Sequence, residues 1–173
     1  MAVDRQAVLA WLESLHRVYA ENRDFLTELD SAIGDADHGI NMDRGFSAVK
    51  AAMDADAPPG LGPVFQTVAN VLIRTVGGAA GPLYGTFFLR AAAACGEQPE
   101  LTPAGVVALF QAGVEGVRQR GKAEPGDKTM LDALVPAAAA MRQELNGNGS
   151  LEQILQAGAA AAEAGMLSTI PMQ

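Results

Sequence analysis

The sequence predicts an all-α protein, an antiparallel up-and-down barrel or bundle of amphipathic helices. Three observations point there. Apolar residues recur at three- and four-residue steps through most of the chain. Gly, Pro and short polar runs punctuate that pattern at several places, and no segment shows convincing strand alternation. Aromatic residues make up only 5% of a chain that is 49% hydrophobic, so the core is built from small and aliphatic side chains that let helices approach closely. At 173 residues, 1–173 reads as one helical domain with a real core.

Seven helices are expected. The first runs from near Asp4 to Glu28 on a stripe of Leu9, Leu12, Leu15, Val18, Tyr19, Phe25 and Leu26. The second spans Asn41 to Asp54, before a break at Ala55–Gly62 that contains Pro58-Pro59-Gly60. The third follows Pro63, carries Phe65, Val68, Leu72 and Val76, and stops at Gly77-Gly78. The fourth has Pro82 in its first turn and continues through Phe87, Phe88 and Ala91–Ala94. Thr102-Pro103 opens the fifth, with a capping hydroxyl followed by proline at the first helical position. The sixth starts near Asp127 and carries Pro136 inside it, a source of kinking or tightening. After a turn at Asn146–Gly149, Ser150-Leu-Glu-Gln153 reads as a capping box for the seventh, which ends near Met166.

Short connections and antiparallel neighbours place alternate loops at the same end. The loops Asp30–Asn41, Gly77–Pro82 and Gly121–Thr129 therefore share one end of the bundle. The loops Ala55–Gly62, Gly96–Leu101 and Asn146–Gly149 share the other, and they carry nothing that looks chemical. The polar end is also where alternate helices begin, and helix N-termini offer free N–H groups to anions.

Chemistry concentrates in the same loops. Asp30, Asp35 and Asp37 set three mutually repelling carboxylates beside His38 and Asn41. A hard cation would relieve that repulsion, and oxygen ligands at this density suit Mg²⁺ or Ca²⁺. The spacing is not that of an EF-hand. The plainer alternative is an Asp/Gly loop with Asp37 capping the next helix. Gly77-Gly-Ala-Ala-Gly-Pro82 is either helix punctuation or a backbone cradle for phosphate, and no Gly-Lys-Ser/Thr follows it. In Gly126-Asp-Lys-Thr-Met130, Asp127 reads as a helix cap, and Lys128 either reaches a phosphate or is solvated. Gly121 permits close approach of a flat ring or caps a helix. Trp11, Phe46 and Tyr84 read as packing residues and His16 as structural.

The formal net charge of −8 argues against a general binder of nucleic acid or anionic membranes. The lone Cys95 precludes an intrachain disulfide, and a reducing cytoplasm is the simplest compartment. No apolar run reaches the roughly 18 residues that a membrane helix needs. No nucleophile system of the Ser/His/Asp or Cys/His kind is apparent.

Three segments in order, Gly34-Asp-Ala-Asp-His-Gly-Ile-Asn-Met42, Gly77-Gly-Ala-Ala-Gly-Pro-Leu-Tyr-Gly85 and Gly126-Asp-Lys-Thr-Met-Leu-Asp132, resemble the nucleotide-binding subunit L of bacterial dihydroxyacetone kinases. The resemblance extends over essentially the whole chain. It implies a barrel of amphipathic helices with the nucleotide at one end. It implies that Asp30, Asp35 and Asp37 hold two Mg²⁺ ions. His38, Gly39, Ile40 and Asn41 would line the nucleotide site, Ala79 and Ala80 would give backbone N–H groups to phosphate, and Gly121 and Met130 would bracket the base. ADP would stay bound as a cofactor, be rephosphorylated to ATP by a phosphohistidine on a phosphotransferase-system partner, subunit M, and pass its γ-phosphoryl to dihydroxyacetone held covalently by subunit K. No acid–base residue on this chain is then required. A homodimer remains open.

Two departures stand out. The family usually carries a hydroxyl residue where this chain has Ala80. The family also continues with a basic, Gly-rich lid and an eighth helix, whereas this sequence stops at Ile170-Pro-Met-Gln173, so seven helices without the lid are expected. A start at Met1 with no appended domain favours the phosphotransferase-dependent form over a fused ATP-dependent kinase. The alternatives are the nucleotide domain of a related kinase, such as a fatty-acid kinase, and a helical core that has lost catalysis and acts as a binding or regulatory subunit.

Overall fold

The computed structural model describes residues 2–32 and 34–172. Among these residues it contains eight helices: α1 Arg5–Glu21, α2 Arg23–Ser31, α3 His38–Asp56, α4 Leu61–Thr75, α5 Ala80–Cys95, α6 Pro103–Gly121, α7 Leu131–Asn146 and α8 Leu151–Ser168. The all-α class holds. The count exceeds the expected seven because the long first helix is broken at Asn22, which ends α1 and begins α2. The Asn22 amide Nδ2 donates to the Val18 carbonyl at 2.8 Å, beside the backbone bond from its own N–H to the same oxygen. An asparagine that competes in this way for helical carbonyls disfavours a helix interior. Leu26 N–H still bonds the Asn22 carbonyl at 2.9 Å, and α1 and α2 both pack on α3. The break thus bends the element without reversing it, and the alternation of loop ends survives.

A two-residue antiparallel pairing, β1 Val3–Asp4 with β2 Glu100–Leu101, is the one departure from helix and turn among the described residues. It ties the start of the chain to the segment before α6. At the same end Arg5 donates to the carbonyls of Pro58 (2.7 Å) and Ala57 (2.6 Å), pinning the α3–α4 connection.

Successive helices pack side by side, α3 on α4, α4 on α5, α5 on α6, α6 on α7 and α7 on α8. α4 is the most enclosed, with Val64, Val68, Ala69 and Leu72 fully buried between Met42, Phe46 and Val49 of α3 and the Phe88 and Ala91 side of α5. A smaller cluster of Val107, Met141 and Ile154 joins α6, α7 and α8. Burying side chains of this size contributes about 1.5–3 kcal/mol each.

The local signals mostly act as expected. Thr102 Oγ1 accepts from Gly105 N–H, and Pro103 follows it at the first helical position. Ser150 and Gln153 form the reciprocal capping box. Pro136 lies inside α7 and cannot donate to the Asp132 carbonyl. Gly165 of α8 lies over that carbonyl so closely that an added Cβ would fall 2.1 Å from the oxygen. Asp127 does not cap the sixth expected helix, since α7 begins only at Leu131 and the Asp127 carboxylate accepts from Glu124 N–H instead. None of the helices is long and apolar enough to cross a membrane.

Candidate functional site

The α2–α3, α4–α5 and α6–α7 loops meet around a cavity of about 420 Å³. From the first come Asp30, Asp35, Asp37, His38 and Asn41; from the second Gly77, Gly78, Ala79, Ala80, Leu83 and Tyr84; from the third Thr129 and Met130. Residues separated by a hundred positions share one wall because alternate connections lie at the same end.

Asp30 occupies the last turn of α2 rather than a loop, and His38–Asn41 form the first turn of α3, so the true connection is shorter than the sequence suggested. Asp30 Oδ2 accepts from the N–H groups of Asp37 (3.0 Å) and His38 (3.3 Å), which folds the connection back on α2. Between the two outer carboxylates Ala36 adopts φ 59°, a left-handed conformation that costs a non-glycine residue about 1–2 kcal/mol. Ala36 borders a neighbouring cleft with Thr27 and Ile40, while Asp35 and Asp37 line the main cavity. One oxygen from each of Asp30, Asp35 and Asp37 lies within 4.8 Å of the others. No arginine or lysine lines the cavity among the described residues. An anion seated there needs a cation, and this donor set fits a hard one.

In the α4–α5 loop Gly78 takes φ 63°, with open space where a side chain would stand. Gly81 packs on the Val76 carbonyl, where an added Cβ would be 2.3 Å from the oxygen. No side chain caps α5, so the Ala80 and Gly81 N–H groups begin the helix without a side-chain acceptor. Aligned N–H groups on a loop without bulk suit an anion.

The α6–α7 loop is held by Asp132, 5% exposed, whose oxygens accept from the N–H groups of Gly126 and of Thr129 (2.8 Å). The Gly126 bond, then the Thr129 bond, holds this carboxyl below the usual carboxylate range. Lys128 has φ 55° and is exposed, outside the cavity lining, with its Nζ donating to the Met172 carbonyl at 2.6 Å.

The structure brings Asp30, Asp35, Asp37, His38, Asn41, Ala79, Ala80 and Met130 to the cavity. Gly39, Ile40 and Gly121 stand off it. Gly39 is the close approach of α3 to α2, with an added Cβ only 1.9 Å from the Arg23 carbonyl oxygen. Ile40 is 48% exposed and borders the neighbouring cleft. Gly121 ends α6 beside Leu83, itself a lining residue. Sequence reasoning missed Thr129 and Leu83, and it assigned Tyr84 to packing alone. Burial raises the Tyr84 phenol, and burial followed by its neighbour Tyr84 pushes Tyr19 well above the usual phenol range. Both stay neutral, and Tyr84 offers its ring to the cavity while Tyr19 stacks on Phe46 at 4.6 Å.

The helical frame and its cavity define a class, a helix-built cleft lined by carboxylates and by the backbone that opens α3 and α5. Comparison with known proteins makes this specific. The DAK2 domain family matches residues 32–173, and the chain belongs to that family. It is 43% identical over 173 residues to the ADP-binding subunit of the PEP-dependent dihydroxyacetone kinase of Escherichia coli K12, covering 100% of this chain and 82% of that one. It is 35% identical over 161 residues to the ADP-binding subunit of the PTS-dependent dihydroxyacetone kinase of Lactococcus lactis, covering 93% of this chain and 79% of the relative. The crystal structure of the C. freundii dihydroxyacetone kinase in complex with AMP-PNP and Mg²⁺ superimposes with a TM-score of 0.80 at 25% identity, over 99% of this chain and 30% of that one.

Proposed function

We propose that this chain is the ADP-binding, phosphoryl-transferring subunit of a phosphoenolpyruvate-dependent dihydroxyacetone kinase working in the cytoplasm. The observation that carries the reading is the cavity itself. Three carboxylates and the starts of α3 and α5 converge on a space with no cationic side chain among the described residues, in a chain alike over its full length to an ADP-binding subunit.

Asp30, Asp35 and Asp37 would hold Mg²⁺, two ions in the reading we favour. Mg²⁺ held there would supply the positive charge that neutralises the phosphates. The chain's own groups do the rest. The Ala79, Ala80 and Gly81 backbone opens α5 towards the phosphates. Asn41 and His38 line the same wall from α3. Met130 and Leu83 supply apolar surface suited to a flat base, with Gly121 behind Leu83. The chemistry is positioning and charge neutralisation, so no general base on this chain is needed.

In the proposed cycle a partner's phosphohistidine gives its phosphoryl group to the β-phosphate of bound ADP, leaving histidine and ATP. The γ-phosphoryl then passes to a hydroxyl of dihydroxyacetone on the kinase's other subunit, regenerating ADP in place. Nucleotide analysis of the purified, denatured protein tests the reading, with tightly held ADP expected. A nucleotide-free protein that gains no thermal stability from Mg²⁺-ADP would overturn it. Turnover with ATP alone, without a phosphohistidine donor, would instead move the chain to the ATP-dependent kinases.

A further inference from the structure

We infer that Arg44 is a positioning residue that sets which end of the Asn41 carboxamide faces the nucleotide phosphates; this deepens the function proposed above and rests on it. Arg44 sits one helical turn beyond Asn41 on α3 and does not line the cavity. Its guanidinium bridges two acceptors. A terminal nitrogen donates to Asn41 Oδ1, and Nε donates to the Thr75 carbonyl at 2.9 Å.

The first bond has a chemical consequence. Guanidinium carries donors and no acceptor, so only the oxygen of an amide can face it. The Asn41 NH₂ group must then point away from Arg44. Asn41 is 5% exposed, and its amide lies flat against Gly77, where an added Cβ would fall 3.1 Å from Nδ2 and 3.2 Å from Oδ1. The side chain is thus pinned on two sides within the wall it shares with Gly77 and Gly78. Donors presented to a phosphate attract it. A flipped amide would present an oxygen and repel it. Arg44 decides between the two.

The second bond acts on the neighbouring loop. Thr75 is the last residue of α4, and its carbonyl belongs to the electronegative end of that helix, where a cation is favourable. Holding it fixes where Val76-Gly77-Gly78 leaves α4. Gly45 reinforces the approach, since an added Cβ there would meet Val76 at 2.3 Å. One side chain therefore ties the first turn of α3 to the start of the α4–α5 loop, two of the three segments that build the cavity.

A double-mutant cycle tests this, with Mg²⁺-ADP affinity measured by calorimetry on stripped wild type, Arg44→Ala, Asn41→Ala and the double variant. Arg44→Ala is expected to weaken binding about 10- to 100-fold, the scale of a lost hydrogen bond to a charged group. In the Asn41→Ala background the same change should cost clearly less, because the group it orients is gone and only the tie to Thr75 is lost. Arg44→Lys, which keeps the charge but not the fork, should recover only part of the affinity. In the nucleotide-free protein the side-chain NH₂ resonances of Asn41 should shift in Arg44→Ala while circular dichroism is unchanged. Unchanged affinity in Arg44→Ala, an equal cost in both backgrounds or unmoved Asn41 resonances would each overturn the inference and leave the proposed function standing. A wild-type protein that binds no Mg²⁺-ADP would remove the proposed function and the phosphate role of Arg44 with it, even where the resonances shift.

Discussion

The α2–α3 and α6–α7 connections both depend on aspartate, yet they use it in opposite ways. Asp132 spends its oxygens on the N–H groups of Gly126 and Thr129 and is nearly enclosed. Asp35 is exposed and Asp37 half-buried, and each brings an oxygen within 4.8 Å of Asp30, with no backbone donor on either carboxylate among the described residues. Asp30 stands between the two cases, with Oδ2 on the backbone and its carboxylate still lining the cavity. A carboxylate whose lone pairs are filled by N–H groups shapes a loop. One left facing other carboxylates is a place for a cation.

The largest expected effect would break this contrast if it failed. Asp37→Asn or Asp35→Asn should weaken Mg²⁺-ADP binding by at least about 100-fold, as removal of a charged ligand group does, with the apo protein's helix content and Tm nearly unchanged. Calorimetry with and without Mg²⁺, beside thermal melts, checks it. Equal Mg²⁺ dependence in variant and wild type would make these carboxylates loop architecture like Asp132.

Asp132→Asn should do the reverse, lowering Tm and speeding amide exchange at Gly126 and Thr129. Nucleotide binding should weaken by a similar factor with and without Mg²⁺, since Met130 and Thr129 shift while Asp30, Asp35 and Asp37 stay in place. A selective loss of Mg²⁺ dependence would erase the distinction between the two loops.

A pH titration sharpens the same point. The Asp132 carboxyl is held below its usual range in the folded state, chiefly by the Gly126 and Thr129 bonds. A depressed folded pKa stabilises the protein at pH above the ordinary carboxylate value of about 3.9, and that contribution is lost as pH falls through the lowered folded value. The stability difference between wild type and Asp132→Asn should therefore be full at neutral pH and shrink in acid. A difference that grows in acid would contradict the assignment.

The smallest effect belongs to the α4–α5 loop, which contributes backbone and no charge. Ala80→Ser would add one hydroxyl at the start of α5. A gain of about 2- to 12-fold in Mg²⁺-ADP affinity is expected from one additional hydrogen bond. No gain would mean that the backbone alone already saturates the phosphate.

Much of this was legible beforehand because it depends on short-range rules. Thr102-Pro103 and Ser150–Gln153 announce their helices, and counting helices places the three polar loops together. The break at Asn22 was hidden, since its apolar stripe continues and the competing bond is made by one amide. Asp127 looked like a helix cap but closes a turn on Glu124 N–H, while Asp132, already inside α7, fastens the loop through Gly126 and Thr129; which N–H each carboxylate meets depends on where the chain turns after Gly126 at φ 101°. Gly39 was expected to line the nucleotide site, yet its need for space comes from the Arg23 carbonyl across a helix contact. Arg44 gave no signal, since its bond to Asn41 depends on side-chain direction and its other partner, Thr75, lies on the next helix; the partner of Tyr84, Tyr19, is likewise distant in the sequence.

The end opposite the cavity has its own consequence. There the chain is tied by Arg5 to Ala57 and Pro58, by the Val3–Leu101 pairing and by the Ser150 capping box, none of which touches the site. The Gly147–Gly149 turn, with Asn148 at φ 60°, lies on that side. It is a natural point of attachment: a fluorophore, an epitope or a tether joined there rides on the molecule at the far pole, leaving the mouth of the cavity clear for whatever must dock against it.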